Sequence, residues 1–265
     1  MTTENTALDA AKTCGKGPFG PWASVGLTLG AIFIMFSVQS LLAIPAIMAG
    51  VGDTASGESL SAVDFTTEML NSPLGLLTTV VAMFFSMVIL FGIVVALVQL
   101  RGGPTLRDYL GAVRVRVGVY ARWLLILFAY GLLMQVVWTV FDLPSEDFVM
   151  DIVRHTWVLP LIIPVVVIAS PIAEESLFRG FLYAAFDRTP AQRLAVIVVS
   201  AAVWSGLHAF QYQWYTVLGM FGMGVVFGFA RWLSGSLYVA IALHAFWNLA
   251  STIIALLIVA GLLDM

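Results

Sequence analysis

The residues best suited to chemistry lie in the run 171–180, where Glu174, Glu175 and Arg179 interrupt a long apolar stretch. An ionised side chain in the hydrocarbon region of a bilayer costs about 2.5–3.5 kcal/mol on insertion scales, so such groups face protein or water and often serve a mechanism. Two carboxylates and a guanidinium within six positions therefore mark this run as a candidate site.

Two further polar pairs follow in later apolar stretches, Trp204 with His208 and His244 with Asn248. Residues four apart share one face of a helix. This spacing predicts that Trp204 lies beside His208 and His244 beside Asn248. The same spacing predicts an ion pair within the first run.

Helical rise places these groups at similar depths. Counted from the basic end of each helix, the depths are roughly 20 Å for Glu174, 22 Å for His208, 12 Å for His244 and 18 Å for Asn248. If the helices are neighbours, two carboxylates, two imidazoles and an amide converge in one layer inside the bilayer. Such a pocket must hydrate from one side, and water is then a candidate reactant.

Two kinds of chemistry fit this set. A carboxylate beside an imidazole can take a proton from water and return it to a leaving amine, while a His and an Asn amide can stabilise an oxyanion. Alternatively, Glu174, His208 and His244 form a ligand set used by catalytic zinc, which leaves a fourth position for water. The sequence leaves zinc and metal-free activation of water equally open.

The composition predicts the elements that position these groups. The chain has 265 residues, of which 61% are hydrophobic and 10% charged, and its mean hydropathy is +1.00. These values exclude an ordinary soluble domain and predict an all-α, polytopic transmembrane bundle of about seven crossings, each of about 20 apolar residues. The predicted spans are 22–49, 74–100, 119–141, 157–186, 194–210, 214–233 and 237–263.

The span 157–186 is too long for one plain crossing. Pro171 lacks a backbone donor and disfavours the helical conformation at Ser170. We therefore expect a break there, which would raise the number of helices to about eight. The glycines of the span 214–233 are expected to allow close helix packing; they are Gly219, Gly222, Gly224 and Gly228.

Charge predicts the orientation. Lysines and arginines gather in the tail 1–21 and the connection 100–122, whereas the loop 51–73 has none. The positive-inside rule then predicts a multi-pass protein of the cytoplasmic membrane with a cytoplasmic N-terminus and, after an odd number of crossings, an outer C-terminus. Cys14 is the single cysteine, which excludes a disulfide framework or a thiolate metal cluster.

Taken together, the three motifs resemble those of the CPBP family, the CAAX protease and bacteriocin-processing (Abi) intramembrane endopeptidases. The resemblance covers about residues 163–250 and rests on the order, spacing and helical setting of the motifs. It divides the chain into a cytoplasmic tail (1–21), N-terminal transmembrane helices with a basic cytoplasmic loop (22–155) and a catalytic core (156–265). Trp204 is a departure, since the family motif usually has Phe there.

The resemblance implies a glutamate or metallo-endopeptidase with a cavity open to the cytoplasmic side. Glu174 would be the general base on water, assisted by His208. His244 and Asn248 would support the oxyanion, while Glu175 and Arg179 organise the site. The partners implied are a peptide or protein substrate that enters from the cytoplasm and the lipid bilayer, with no nucleic acid.

Two other functions remain open at the level of sequence. Carboxylates and histidines at mid-membrane also build proton relays, so a proton-coupled transporter is an alternative. A non-catalytic scaffold or bacteriocin-immunity protein could keep the motif for packing alone.

Overall fold

The apolar stretches form helices, because a backbone in lipid must satisfy its hydrogen bonds internally. The computed structural model describes residues 17–49, 62–144 and 148–263, and within these ranges every regular element is helical. The helices are α1 (Pro21–Met48), α2 (Ala62–Asn71), α3 (Pro73–Arg101), α4 (Leu106–Leu110), α5 (Val117–Val140), α6 (Phe148–Arg154), α7 (Thr156–Phe186), α8 (Pro190–Gly206), α9 (Trp214–Ser234) and α10 (Leu237–Val259).

Six of the described helices are long and apolar enough to cross a membrane, namely α1, α3, α5, α7, α9 and α10. The predicted all-α polytopic bundle is therefore confirmed. The remaining predicted crossing, 194–210, corresponds to α8, which ends earlier, at Gly206, and has 17 residues. Its length is about 26 Å, slightly less than a hydrocarbon thickness of about 30 Å.

The break predicted at Pro171 is wrong, because α7 continues through this residue. Ser170 has helical dihedral angles of φ −61° and ψ −53°, and its N–H donates to the carbonyl five residues earlier, on Val165. This π-helical turn covers Val165–Ala169 and leaves the next carbonyl, that of Val166, opposite a proline that has no N–H. The Asn248 side chain donates to that carbonyl instead, at 2.7 Å.

The second half of α7 is the centre of the bundle. A further π-helical stretch, Ser176–Leu182, is buried over its whole length, and α7 contacts α1, α3, α8, α9 and α10. Close packing at glycines is confirmed on α9. A Cβ at Gly228 would lie 2.7 Å from Ile197 of α8, and one at Gly222 would lie 2.5 Å from the Tyr130 hydroxyl of α5.

The two ends of the bundle differ. At the end that carries the basic connections, Arg231 donates to the carbonyls of Arg179 (3.1 Å) and Leu110 (3.4 Å). Tyr109 of α4 stacks on Phe181 of α7, with 5.7 Å between ring centroids, and burial raises the pKa of the Tyr109 hydroxyl. At the opposite end, α2 and α6 contact each other and cover the starts of α3 and α7.

Candidate active site

The two adjacent glutamates of α7 face different surroundings. Glu175 is fully buried, whereas Glu174 is half-buried and lines a cavity. Successive residues of a helix point about 100° apart, so neighbouring carboxylates can meet different partners. Each glutamate belongs to its own polar cluster.

The cavity cluster consists of Glu174, Trp204 and His208. The Trp204 indole Nε1 donates to Glu174 Oε2 at 2.5 Å, and the His208 ring lies 5.0 Å from the Trp204 ring. His208 Nδ1 is 2.8 Å from the Trp204 carbonyl oxygen. Because a carbonyl only accepts, Nδ1 carries the hydrogen, and the other ring nitrogen of a neutral His208 has a free lone pair.

The buried cluster consists of Glu175, Arg179 and His244. Glu175 Oε1 lies 3.1 Å from Arg179 Nη1 and 3.0 Å from His244 Nδ1, and all three side chains are almost inaccessible to solvent. The predicted pairing of Glu175 with Arg179 is thus confirmed. Removing one partner of such a pair is costly, about 3–5 kcal/mol, because it leaves an uncompensated buried charge.

The backbone of α9 completes the buried cluster. Arg179 Nη2 donates to the Gly224 carbonyl at 2.9 Å. A Cβ at Gly224 would lie 3.0 Å from the same nitrogen and 3.2 Å from the Trp204 ring. Glycine at this position therefore brings the helix close enough to bind Arg179.

One cavity of about 1180 Å³ brings the candidate catalytic residues together. Its lining includes five of the seven residues singled out in the sequence, which are Glu174, Trp204, His208, His244 and Asn248. Glu175 and Arg179 lie behind this wall. The arrangement combines a carboxylate held by one donor, two imidazoles and an amide, which are the groups needed to move a proton and to bind an oxyanion.

Asn248 also has a structural task that the sequence did not reveal. One of its two Nδ2 hydrogens binds the Val166 carbonyl, which the π turn before Pro171 leaves free. The second Nδ2 hydrogen and the side-chain oxygen are the groups left for a substrate. Asn248 therefore holds α7 as well as lining the cavity.

The position of the cavity sets two sequence predictions against each other: that the basic connections are cytoplasmic, and that the cavity opens to the cytoplasm. Its lining comes from the parts of α5, α7, α8, α9 and α10 that are remote from the basic connections. A cytoplasmic position for those connections and a cavity open to the cytoplasm therefore cannot both hold. The calculated depths, from roughly 12 Å for His244 to roughly 22 Å for His208, lie on both sides of the midpoint of a hydrocarbon layer about 30 Å thick, so they had been consistent with access from the cytoplasm.

The zinc alternative does not fit the arrangement of side chains. Among the described residues, no group of three or more His, Cys, Asp or Glu side chains is placed to hold a metal ion. The bonds made by Nδ1 of His208 and of His244 do not bear on this point, because zinc-binding histidines use one ring nitrogen for the metal and the other for a protein partner. It is the placement of the three side chains relative to one another that gives no metal site.

Three functional contacts could not be read from the motifs. The sequence suggested an aromatic wall at Trp204, whereas its indole is a hydrogen-bond donor to Glu174. The carbonyls of Val166 and Gly224 are acceptors for motif side chains. The only sequence signals for these two were Pro171 and the glycine-rich helix.

Comparisons with known proteins agree with the resemblance drawn from the motifs. Residues 156–250 match a family model described as type II CAAX prenyl endopeptidase Rce1-like. No curated protein and no solved structure matches the chain. The match begins at the start of α7 and includes all three motifs, and it supports a membrane-embedded, CAAX-protease-like endopeptidase that acts on a peptide.

Proposed function

From the match of residues 156–250 to type II CAAX prenyl endopeptidases, we propose that this chain hydrolyses a peptide bond inside the membrane with water activated by Glu174 and His208. The observation that carries the proposal is the cavity cluster. The Trp204 indole fixes one oxygen of the Glu174 carboxylate, which leaves the other oxygen beside an imidazole on the same cavity wall.

Glu174 is the general base. Trp204 donates to Oε2, which stabilises the ionised carboxylate and leaves Oε1 for a water molecule. His208 orients the same water through its second ring nitrogen, because its Nδ1 hydrogen is bound to a backbone carbonyl. The water oxygen attacks the peptide carbonyl carbon as its proton passes to Glu174.

His244 and Asn248 stabilise the oxyanion. His244 lies between Glu175 and the cavity, so its two ring nitrogens can serve different partners. A doubly protonated His244 donates from Nδ1 to Glu175 and from Nε2 to the oxyanion. The second Nδ2 hydrogen of Asn248 is the other donor.

Collapse of the intermediate completes the reaction. The C–N bond breaks, and the proton held by Glu174 passes to the leaving amine nitrogen. The products are a new carboxyl terminus, which contains the water oxygen, and a new amino terminus.

The test follows the water oxygen into the new carboxyl terminus. Purified protein in liposomes is incubated in H₂¹⁸O with a defined mixture of apolar peptides, and products are identified by mass spectrometry. We expect ¹⁸O in each new carboxyl terminus, and no products from a Glu174→Gln variant that inserts normally. Equal product formation by this variant would rule the proposal out; Glu68→Gln, at an exposed position of α2, is the control.

A further inference from the structure

The cavity has a floor at the level of the catalytic groups and extends from it toward one end of the bundle. Leu127, Leu177 and Met223 form the floor and are buried, with at most 3% of their surface exposed. Asp142 and Leu263 line the far end and are exposed. Asp142 follows α5 and Leu263 follows α10, so the cavity reaches the surface at the end of the bundle where α6 lies. Exposed lining residues farther down α5 and α10, such as Phe128 and Phe246, show that it is also open at the side.

The basic end is closed. Below the floor, Tyr109 stacks on Phe181, and the Arg231 guanidinium joins α4 to α7. The Ser236 hydroxyl donates to the Val113 carbonyl and fixes the start of α10 against the connection before α5. None of these residues lines the cavity.

Charge orients the two ends. Among the described arginines in connections or at helix ends, only Arg154 lies at the cavity end; the others, at the closed end, are Arg101, Arg107, Arg114, Arg116, Arg122, Arg188, Arg193 and Arg231. Basic residues in short connections remain in the cytoplasm. The closed end is thus the cytoplasmic end, and the cavity faces away from it.

The lining shows what kind of segment it accepts. Its walls are mainly apolar and include methionines from five helices, whose flexible side chains adapt to varied apolar groups. Examples are Met35, Met83, Met134, Met150 and Met220. Among the residues that the structure describes, no Lys or Arg lines the cavity, whereas Asp142 and Glu174 do. An acidic segment would find no basic partner there.

We propose that the active site receives an apolar peptide segment from the non-cytoplasmic side of the membrane. This inference rests on the proposed function for the identity of the substrate, but the direction of access follows from the cavity and the arginines alone. It replaces the expectation of access from the cytoplasm.

Cysteine labelling in intact cells tests the direction. Cys14, the single cysteine, is replaced by Ser, and one new cysteine is placed at the cavity end (Gln211→Cys or Thr139→Cys) or at the closed end (Val113→Cys or Ala191→Cys). None of these four positions belongs to the proposed catalytic machinery or carries charge, so the arginine distribution is unchanged. The reagent is a maleimide that does not cross membranes.

We expect the two cavity-end cysteines to be labelled in intact cells, and the two closed-end cysteines to be labelled only after permeabilisation. The reverse pattern, or labelling of both ends in intact cells, overturns the proposal. Labelling requires no activity, so repeating it in the Glu174→Gln background separates this result from the proposed function. If that variant is fully active while the labelling holds, the proposed function fails and the direction of access stands.

Discussion

Glu174 and Glu175 are joined by one peptide bond, yet the cavity cluster and the buried cluster differ in burial, in charge and in hydrogen-bond partners. Glu174 has one neutral donor and a free oxygen beside the cavity, whereas Glu175 is enclosed with Arg179 and His244. The first environment leaves one carboxylate oxygen accessible from the cavity, as the proposed role of Glu174 requires. The second uses a carboxylate to hold charge and geometry in place, which shows that neighbouring identical residues can divide reactivity and stability between them.

The largest expected difference between the clusters is in activity. Glu174→Gln should lower kcat by about 10²–10⁴-fold, the range for loss of a general base, with little change in thermal unfolding in detergent. The comparison fails if the variant loses stability rather than rate. Product formation and unfolding should be measured on the same preparation.

The buried cluster should show the opposite pattern. Arg179→Met is expected to lower the free energy of unfolding by about 3–5 kcal/mol, because the buried Glu175 carboxylate loses its guanidinium partner and keeps only His244. Combining it with Glu175→Gln should cost less than the sum of the single changes, since the pair is coupled. Equilibrium unfolding in detergent checks both statements.

A second, exposed ion pair is available as the control for the Glu175–Arg179 variants. Arg154 and Asp151 are 2.7 Å apart, but the Arg154 side chain is 54% exposed. Arg154→Met should cost only about 0–1 kcal/mol, as is usual for exposed pairs. Similar losses at Arg154 and Arg179 would contradict the role given to burial.

Trp204→Phe tests the link between the clusters. The change removes the donor to Glu174 but keeps an aromatic ring, and a hydrogen bond to a charged group is worth about 1.5–3 kcal/mol, or roughly 10- to 150-fold in kcat. Trp123→Phe is the matched control, because the Trp123 indole nitrogen is buried without a hydrogen-bond partner. An unchanged kcat in Trp204→Phe would show that Glu174 needs no fixed donor.

The smallest effect is expected at the helix that supports Arg179. Gly224→Ala places a Cβ 3.0 Å from Arg179 Nη2, and we expect a loss of about 1–3 kcal/mol in stability from overpacking. Gly219→Ala should be neutral, because the nearest atom to its Cβ is Met134 Sδ at 3.7 Å. Thermal unfolding of the two variants should separate them; equal midpoints would contradict the packing argument.

Spacing and depth predicted much of this site, because both depend only on helix geometry. The pairing of Glu175 with Arg179 is an i, i+4 contact, and the shared layer of Glu174, His208 and Asn248 follows from helical rise. Contacts between helices required their relative rotation, which no local pattern contains. The bond from Trp204 to Glu174 could not be foreseen for this reason.

The break expected at Pro171 failed for a different reason. Proline removes one donor, and an isolated helix has nothing to replace it. Here Asn248 comes from a helix far along the chain and binds the unpaired carbonyl of Val166. Local propensity was overridden by a tertiary contact that is invisible at the level of a single segment.

In the π-helical stretch Ser176–Leu182, the number of residues matters as well as their type, because it sets the direction in which later side chains of α7 point. One residue removed from this stretch would rotate everything beyond it by roughly a quarter of a turn relative to Glu174 if the π-helical hydrogen bonds were kept. Asp187, which binds Arg193 at 2.5 Å, would turn away from α8. Single-residue deletions should therefore be far less tolerated here than apolar substitutions. The number of residues in this part of α7 is itself under constraint.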